Sequence, residues 1–261
     1  MAQLTFVGTS DAFNAAGRLH SCYLLEGDGF GPLMIDFGAT ALAGLRRLGK
    51  DPSAIRGYAF THLHGDHIGG WPFLVIDGMF HAVRRDTLAV LGPVGSEARL
   101  DALLRVAYGG LADKERPYAS TVEELLPGAT ADFAGVRIEG FPARHMKPPE
   151  QPLCLRIELP DGTTVAFSGD TAMCDGLLAA AAGVDVLVAE CSGLAPPCGD
   201  HCSWEEWCEV LPSLTAKRIF FTHLGTDVRA AVARLLAEVP AGSDVAFADD
   251  GLVVTLERYQ A

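Results

Sequence analysis

Short apolar runs rich in Val, Ile, Phe and Leu, each closed by Gly, Pro or Asp, recur early in the chain. They predict strands at 4–7, 21–26, 33–36 and 57–61. Apolar positions then shift to helical spacing at 41–48, 97–108 and 122–126, with "LGPVGS" read as a loop. A second strand series follows at 133–139, 153–159 and 164–168, where "LPDGT" supplies a hairpin turn, and at 184–189. Helices are predicted at 174–182, 204–211 and 227–238, and closing strands at 218–222, 244–248 and 253–257. Both halves thus run strands first and helices afterwards. That order suits two sheets packed face to face with helices outside, in one domain spanning 1–261.

Composition narrows the class of partner. Thirty-three acidic against twenty basic side chains leave a formal charge of -13, so the average surface repels phosphate backbones and anionic lipid heads. The charge groupings are short and read as solvated helix faces. The opening "MAQLTFVGTS" has no basic region or apolar run of signal length, and no later stretch reaches transmembrane length. The expectation is a cytoplasmic protein without membrane contact. Seven cysteines without a repeated spacing fit free thiols in a reducing compartment.

Chemistry concentrates in "FTHLHGDHIGGW". His62, His64, Asp66 and His67 bring four metal-ligand side chains into one short loop of a chain that has only eight histidines. Alternate residues of an extended segment share a face, so His62 and His64 can grip one ion. Gly65 permits a sharp turn, after which Asp66 and His67 point elsewhere at the start of a helix. This favours two adjacent ions over one.

The pattern His-x-His-x-Asp-His after a strand resembles the signature of the metallo-β-lactamase superfamily of hydrolases. The resemblance implies an α/β (α+β) fold, a four-layer αββα sandwich with a dinuclear centre at one edge of the two sheets. It also matches further residues in order: Asp36 in "LMIDFG", His145 in "ARHMKP", Asp170 in "FSGDT" and His223 in "FFTHLG". By resemblance, His62, His64 and His145 hold one ion, and Asp66, His67 and His223 the other. Asp170 and a hydroxide bridge them, while Asp36 orients the loop or a ligand histidine. The cofactor expected is two divalent metal ions, zinc ahead of manganese or iron.

Within the superfamily the chain looks most like the ribonuclease Z branch, through "LTFVGTSDAF", "RLHSCYLL", "LGPVG" and "GDHCSW". The last places His201 where that branch has a non-ligand histidine thought to protonate the leaving group, 22 residues before His223. Ser203 in the same segment also makes a capping box with Glu206. Asp66 and His201 are therefore the candidate catalytic residues. Two departures bear on substrate: the 24 residues between His145 and Asp170 leave no room for the long arm that grips transfer RNA, and "LGTDVR" replaces Ser-x-Arg-Tyr after His223.

The expected activity is that of a phosphodiesterase acting on a small nucleotide-like or cyclic diester, as a homodimer, with transfer RNA disfavoured. A lactone, thioester or carboxylic ester hydrolase is the alternative, and a non-catalytic metal-binding sensing module the third reading. Cys191, Cys198, Cys202 and Cys208 suggest either an extra structural zinc or, better, unconnected buried thiols. Arg18 and His20 reach the site by resemblance or are ordinary strand residues, and His81 is structural. Residues 71–127 form either a wall over the centre with part of a dimer surface, or ordinary core.

Overall fold

The computed structural model of the chain describes residues 1–240 and 242–258. Strands β1 (Ala2–Gly8), β2 (Cys22–Gly27) and β3 (Phe30–Ile35) form an antiparallel meander. From there each connection carries a helix: α1 (Ala41–Arg47) leads to β4 (Gly57–Ala59), the short α2 (Gly65–Ile68) and α3 (Trp71–Ile76) to β5 (Leu88–Pro93), and α4 (Ser96–Ala112) to β6 (Ser120–Leu125). Crossovers of that length return the chain in the same direction, so β3 to β6 are parallel.

The second half repeats the scheme. Strands β7 (Thr130–Phe133), β8 (Val136–Pro142), β9 (Leu153–Glu158) and β10 (Thr164–Phe167) are antiparallel. Helices α5 (Asp175–Ala181), α6 (Trp204–Val210) and α7 (Thr226–Glu238) then alternate with the parallel strands β11 (Val186–Glu190), β12 (Arg218–Thr222) and β13 (Asp244–Phe247). The last strand, β14 (Val253–Leu256), crosses back to pair with β1. The two sheets run β14-β1-β2-β3-β4-β5-β6 and β13-β12-β11-β10-β9-β8-β7.

Period-2 patterning directs one face of each sheet inward, where Leu4, Phe6, Tyr23 and Ile35 meet Ile138, Ile157, Phe167 and Phe220. Phe6 packs on Phe220 and Tyr23 on Phe167, each pair with ring centroids 5.5 Å apart. The outer faces are covered by helices. Leu45, Trp71, Leu74, Leu100 and Leu104 close the first sheet, and Leu177, Trp207 and Leu235 the second. The result is the expected four-layer αββα sandwich. Among the described residues no helix is long and apolar enough to cross a membrane.

Three local expectations fail. Residues 122–126, read as helix, lie mostly in β6, the outermost strand of its sheet, where only Leu125 is buried. Residues 133–139, read as one strand, contain the turn between β7 and β8, made by Ala134 (φ 52°) and Gly135 (φ 89°). "LGPVGS" is a loop only in its second half, because Leu91 to Pro93 end β5. Much of residues 71–127 is ordinary core: Trp71, Leu74, Val75, Leu88, Val90, Leu100 and Leu104 pack beneath the first sheet.

Candidate metal centre

The parallel strands of both sheets end at one edge, and the chemistry-bearing residues follow those ends. Asp36 lies just beyond β3, His62 beyond β4, Asp170 beyond β10, and His223 beyond β12. Asp36 (φ 57°) and His223 (φ 50°) both adopt left-handed backbone. A non-glycine residue holds that conformation only where its surroundings over-determine it, as at ligand sites.

Asp36 organises the histidine loop. It is 1% exposed, and its Oδ1 accepts the Thr61 N–H at 2.8 Å. Its Oδ2 accepts the Thr61 hydroxyl at 2.8 Å and lies 2.7 Å from His67 Nδ1. Gly38 lets the loop approach closely, since a Cβ there would lie 2.0 Å from the Asp66 carbonyl oxygen. His64 precedes α2, whose first turn carries Asp66 and His67.

Two groups of ligand atoms result. His62, His64 and His145 lie within 4.8 Å of one another, as do Asp66, His67, Asp170 and His223. Asp170 joins the groups: its Oδ1 is 3.2 Å from His67 Nε2, and its Oδ2 is 3.2 Å from His223, 3.7 Å from His62 and 3.8 Å from His145, each at Nε2. The structure thus brings together all seven residues that sequence reasoning put at the centre.

The remaining ring nitrogens indicate what these atoms face. Nδ1 of His62 is 3.1 Å from the Thr61 hydroxyl, Nδ1 of His67 meets Asp36, Nδ1 of His145 lies 3.0 Å from the Asp200 carbonyl, and Nδ1 of His223 lies 2.9 Å from the Ser192 hydroxyl. An acceptor at each Nδ1 favours the tautomer that leaves the Nε2 lone pair free. Nε2 of His62 and His67 and Oδ1 of Asp170 are buried without hydrogen-bond partners. Native structures seldom leave such atoms bare unless something binds them. Two ligands of a tetrahedral ion with bonds of 2.0–2.1 Å stand about 3.3 Å apart, close to the Asp170 separations. The residues present fit divalent metal binding.

Electrostatics agree. Burial works against a charge on Asp66, but hydrogen bonds with His223 and His67 outweigh it and hold the carboxyl well below its ordinary range. Burial likewise opposes a proton on His223, yet the charge of Asp170 prevails and its pKa is pushed up to about 10. A cation at this position would take the place of that proton.

His201 stands beside the cluster, its ring stacked 5.4 Å from that of His223 and edge-on to that of His145 at 4.7 Å. Its Nδ1 lies 2.9 Å from Glu190 Oε1. Burial pulls its pKa down, but the Glu190 hydrogen bond and charge win and raise it. Ser203 is also the α6 cap in a full capping box with Glu206, as the sequence suggested.

Sequence reasoning missed Glu190 and Ser192. Glu190 is 1% exposed, and Ser192 donates to its Oε2 at 2.7 Å while contacting His223. The signal was present, because Glu190 closes the apolar run "VLVAE" much as Asp36 closes "LMID". Of the other candidates, His20 reaches the Asp66 side of the centre, whereas Arg18 pairs with Asp249. His81 is exposed beside Asp77 and Arg46. The cysteines are free, and among the described residues none joins a cluster of metal-binding groups.

The family described as anti-Pycsar protein Apyc1 matches residues 2–235. The chain belongs to that family. This Apyc1-family chain is also 30% identical over 226 residues to the uncharacterized protein Rv1339 of Mycobacterium tuberculosis, covering 85% of this chain and 80% of that one. It is 30% identical over 199 residues to a ribonuclease Z of Mycobacterium bovis, covering 72% and 69%. The metallo-β-lactamase fold protein YhfI of Bacillus subtilis superposes with a TM-score of 0.76 at 20% identity, over 98% of this chain and 100% of that one. The Apyc1-family chain therefore has the metallo-β-lactamase fold, ribonuclease Z relatives and a hydrolase's His/Asp cluster.

Proposed function

We propose that the protein is a phosphodiesterase for a small nucleotide-like or cyclic diester, working at a dinuclear centre. His62, His64 and His145 would hold one divalent ion, and Asp66, His67 and His223 the other, with Asp170 shared and zinc preferred to manganese or iron. The observation that carries this reading is the Glu190–His201 pair beside the cluster. A carbonyl substrate with a good leaving group has little need of a separate acid, whereas an alkoxide leaving a phosphodiester does.

When bound, the ions would acidify water and neutralise charge on the reacting phosphoryl group. The chain's own side chains do the rest. Glu190 engages His201 Nδ1 and keeps the ring charged, so its Nε2 proton is available to the departing oxygen. Asp66, held ionised, would accept a hydrogen bond from the attacking water and orient it. Ser192 links Glu190 to His223 and fixes both. Between His145 and β9 only residues 146–152 intervene, and the β9–β10 hairpin turns tightly at Gly162. This compactness and the charge of -13 support a small substrate over transfer RNA. Exposed Phe73 on α3 and Val106 on α4 support a homodimer.

The test is turnover of bis(p-nitrophenyl) phosphate, cyclic nucleotides and acyl-lactones by protein loaded separately with zinc and manganese. Diester hydrolysis is expected. Lactone or ester hydrolysis without diester hydrolysis would replace the proposal with the esterase reading, and fully metallated protein without turnover would leave a sensing module.

A further inference from the structure

Phe13 is 87% exposed, far more than Phe73 or Phe80, the other exposed phenylalanines among the described residues. Its loop is anything but loose. The buried Asp11 carboxylate accepts the Phe13 N–H at 3.1 Å, the Ala15 N–H at 3.2 Å and the Ser10 hydroxyl at 3.0 Å. The Asn14 amide donates to the Arg18 carbonyl at 2.8 Å. Asn14 (φ 54°) and Ala16 (φ 52°) are both in left-handed backbone, a cost that the surrounding hydrogen bonds sustain.

The loop also lies against the metal centre. Ser10 bridges to Leu224, next to His223, and the Leu224 N–H donates to the Thr9 carbonyl at 3.3 Å. Ser10 also bridges to His20, which packs with the Asp66 backbone around Gly38. Phe13 lies three residues after Ser10, so a hydrogen-bonded backbone presents an exposed aromatic side chain on the loop that packs against Leu224, next to His223. Single exposed apolar residues are common, but this one sits on a hydrogen-bonded loop with left-handed backbone beside a site, and loops held on a rigid scaffold are where binding residues concentrate.

We propose that Phe13 is the platform on which the base of a nucleotide substrate stacks while its phosphodiester occupies the metal centre. This rests on the phosphodiesterase reading and assigns a side chain to the base of its substrate. Rigid aromatic faces suit bases because stacking needs no sequence-specific hydrogen bonds and little ordering of the protein.

The experiment compares metal-loaded wild type, Phe13→Ala and Phe13→Trp on a nucleoside 3′,5′-cyclic phosphate and on the base-free methyl riboside 3′,5′-cyclic phosphate. Phe13→Ala should lower the preference for the base-bearing substrate, as a ratio of kcat/KM values, by about 5- to 150-fold, mostly through KM. Phe13→Trp should restore it. An unchanged ratio overturns the proposal, as does a fall in mass by light scattering that makes Phe13 a contact between subunits. If wild type turns over neither phosphate, the phosphodiesterase reading fails, and equilibrium dialysis with a nucleoside 5′-monophosphate decides Phe13 alone. Weaker binding by Phe13→Ala than by wild type would uphold the platform. Equal binding, or none to wild type, would refute it.

Discussion

Replacing Asp36 with Asn tests whether the cluster is built to present bare Nε2 atoms. The substitution keeps size and suits the backbone, because Asn tolerates the left-handed conformation found at this position (φ 57°). Its amide oxygen can still accept the Thr61 N–H, but its NH2 would then face the Thr61 hydroxyl and His67 Nδ1, where Oδ2 now accepts at 2.8 and 2.7 Å. A donor opposite Nδ1 drives the His67 proton to Nε2, removing the lone pair aimed at the centre. Two hydrogen bonds to a charged acceptor, worth about 1.5–3 kcal/mol each, become neutral ones and are partly remade. A net stability loss of about 1–3 kcal/mol follows. Metal affinity should fall about 10- to 100-fold, the usual cost of losing a carboxylate behind a ligand histidine. The measurements are metal content against buffered free zinc, thermal unfolding, and nitrogen chemical shifts of the His67 ring in metal-free protein. Wild-type metal affinity, with Nδ1 of His67 still protonated, would refute the reasoning.

Four further outcomes are expected. His201→Ala, with metal content unchanged, should slow hydrolysis of an alkyl diester about 100-fold or more but of a p-nitrophenyl diester much less, because only the former needs its leaving oxygen protonated; equal losses would remove the acid role. Glu190 raises the His201 pKa above 6.5, so the pair's stabilisation is complete below that value and lost as pH rises through the folded pKa. In Glu190→Gln burial prevails, and the alkaline limb of the kcat profile should move to lower pH, which a kcat–pH series will show. Trp207→Ala should cost about 3–5 kcal/mol in denaturant unfolding, since the buried indole packs on Phe221 and its N–H satisfies the Glu190 carbonyl at 2.8 Å. Removing metal with a chelator should lower Tm by about 5 °C or more if binding contributes a few kcal/mol, read by calorimetry with and without zinc.

Elements with a clear burial pattern were readable from the chain: α7 through its one-sided apolar face, and β9 and β11 as short apolar runs buried almost throughout. Those that failed are informative. β6 is an edge strand with a single buried residue, so it has no period-2 stripe, and "VEEL" imitates a helical face. Its conformation comes from parallel pairing with β5, from Leu88 opposite Ser120 to Pro93 opposite Leu125, which no local pattern encodes. The β7–β8 turn lacks an Asn-Gly or Asp-Gly signal because Ala134 adopts positive φ in its place, at a cost of about 1 kcal/mol. His62, His64, Asp66 and His67 were legible from their density in one loop, whereas His145, Asp170 and His223 emerged only as an ordered set matching the family resemblance. Thr61 and Ser192 were not, since nothing local distinguishes a buried polar side chain that orients a neighbour from one that merely ends a strand, and Glu190 carried only the strand-end signal it shares with Asp36.

Neither half of the chain makes a centre alone. His62 and His64 follow a strand of the first sheet and need His145 from the second, and Asp66 and His67 need Asp170 and His223. The spacing of ligand atoms is therefore set by how the sheets pack, and close-packed interiors yield little. The Tyr23 hydroxyl on β2 reaches across to the Thr222 hydroxyl on β12, at 3.1 Å, immediately before His223. Beneath it Tyr23 packs on Phe167, three residues before Asp170. One aromatic side chain of the first sheet thus braces two strand ends of the second, those that lead to Asp170 and His223. The aromatic layer between the sheets belongs to the site's geometry as much as to the core, and cavities opened there should be felt in metal affinity as well as in stability.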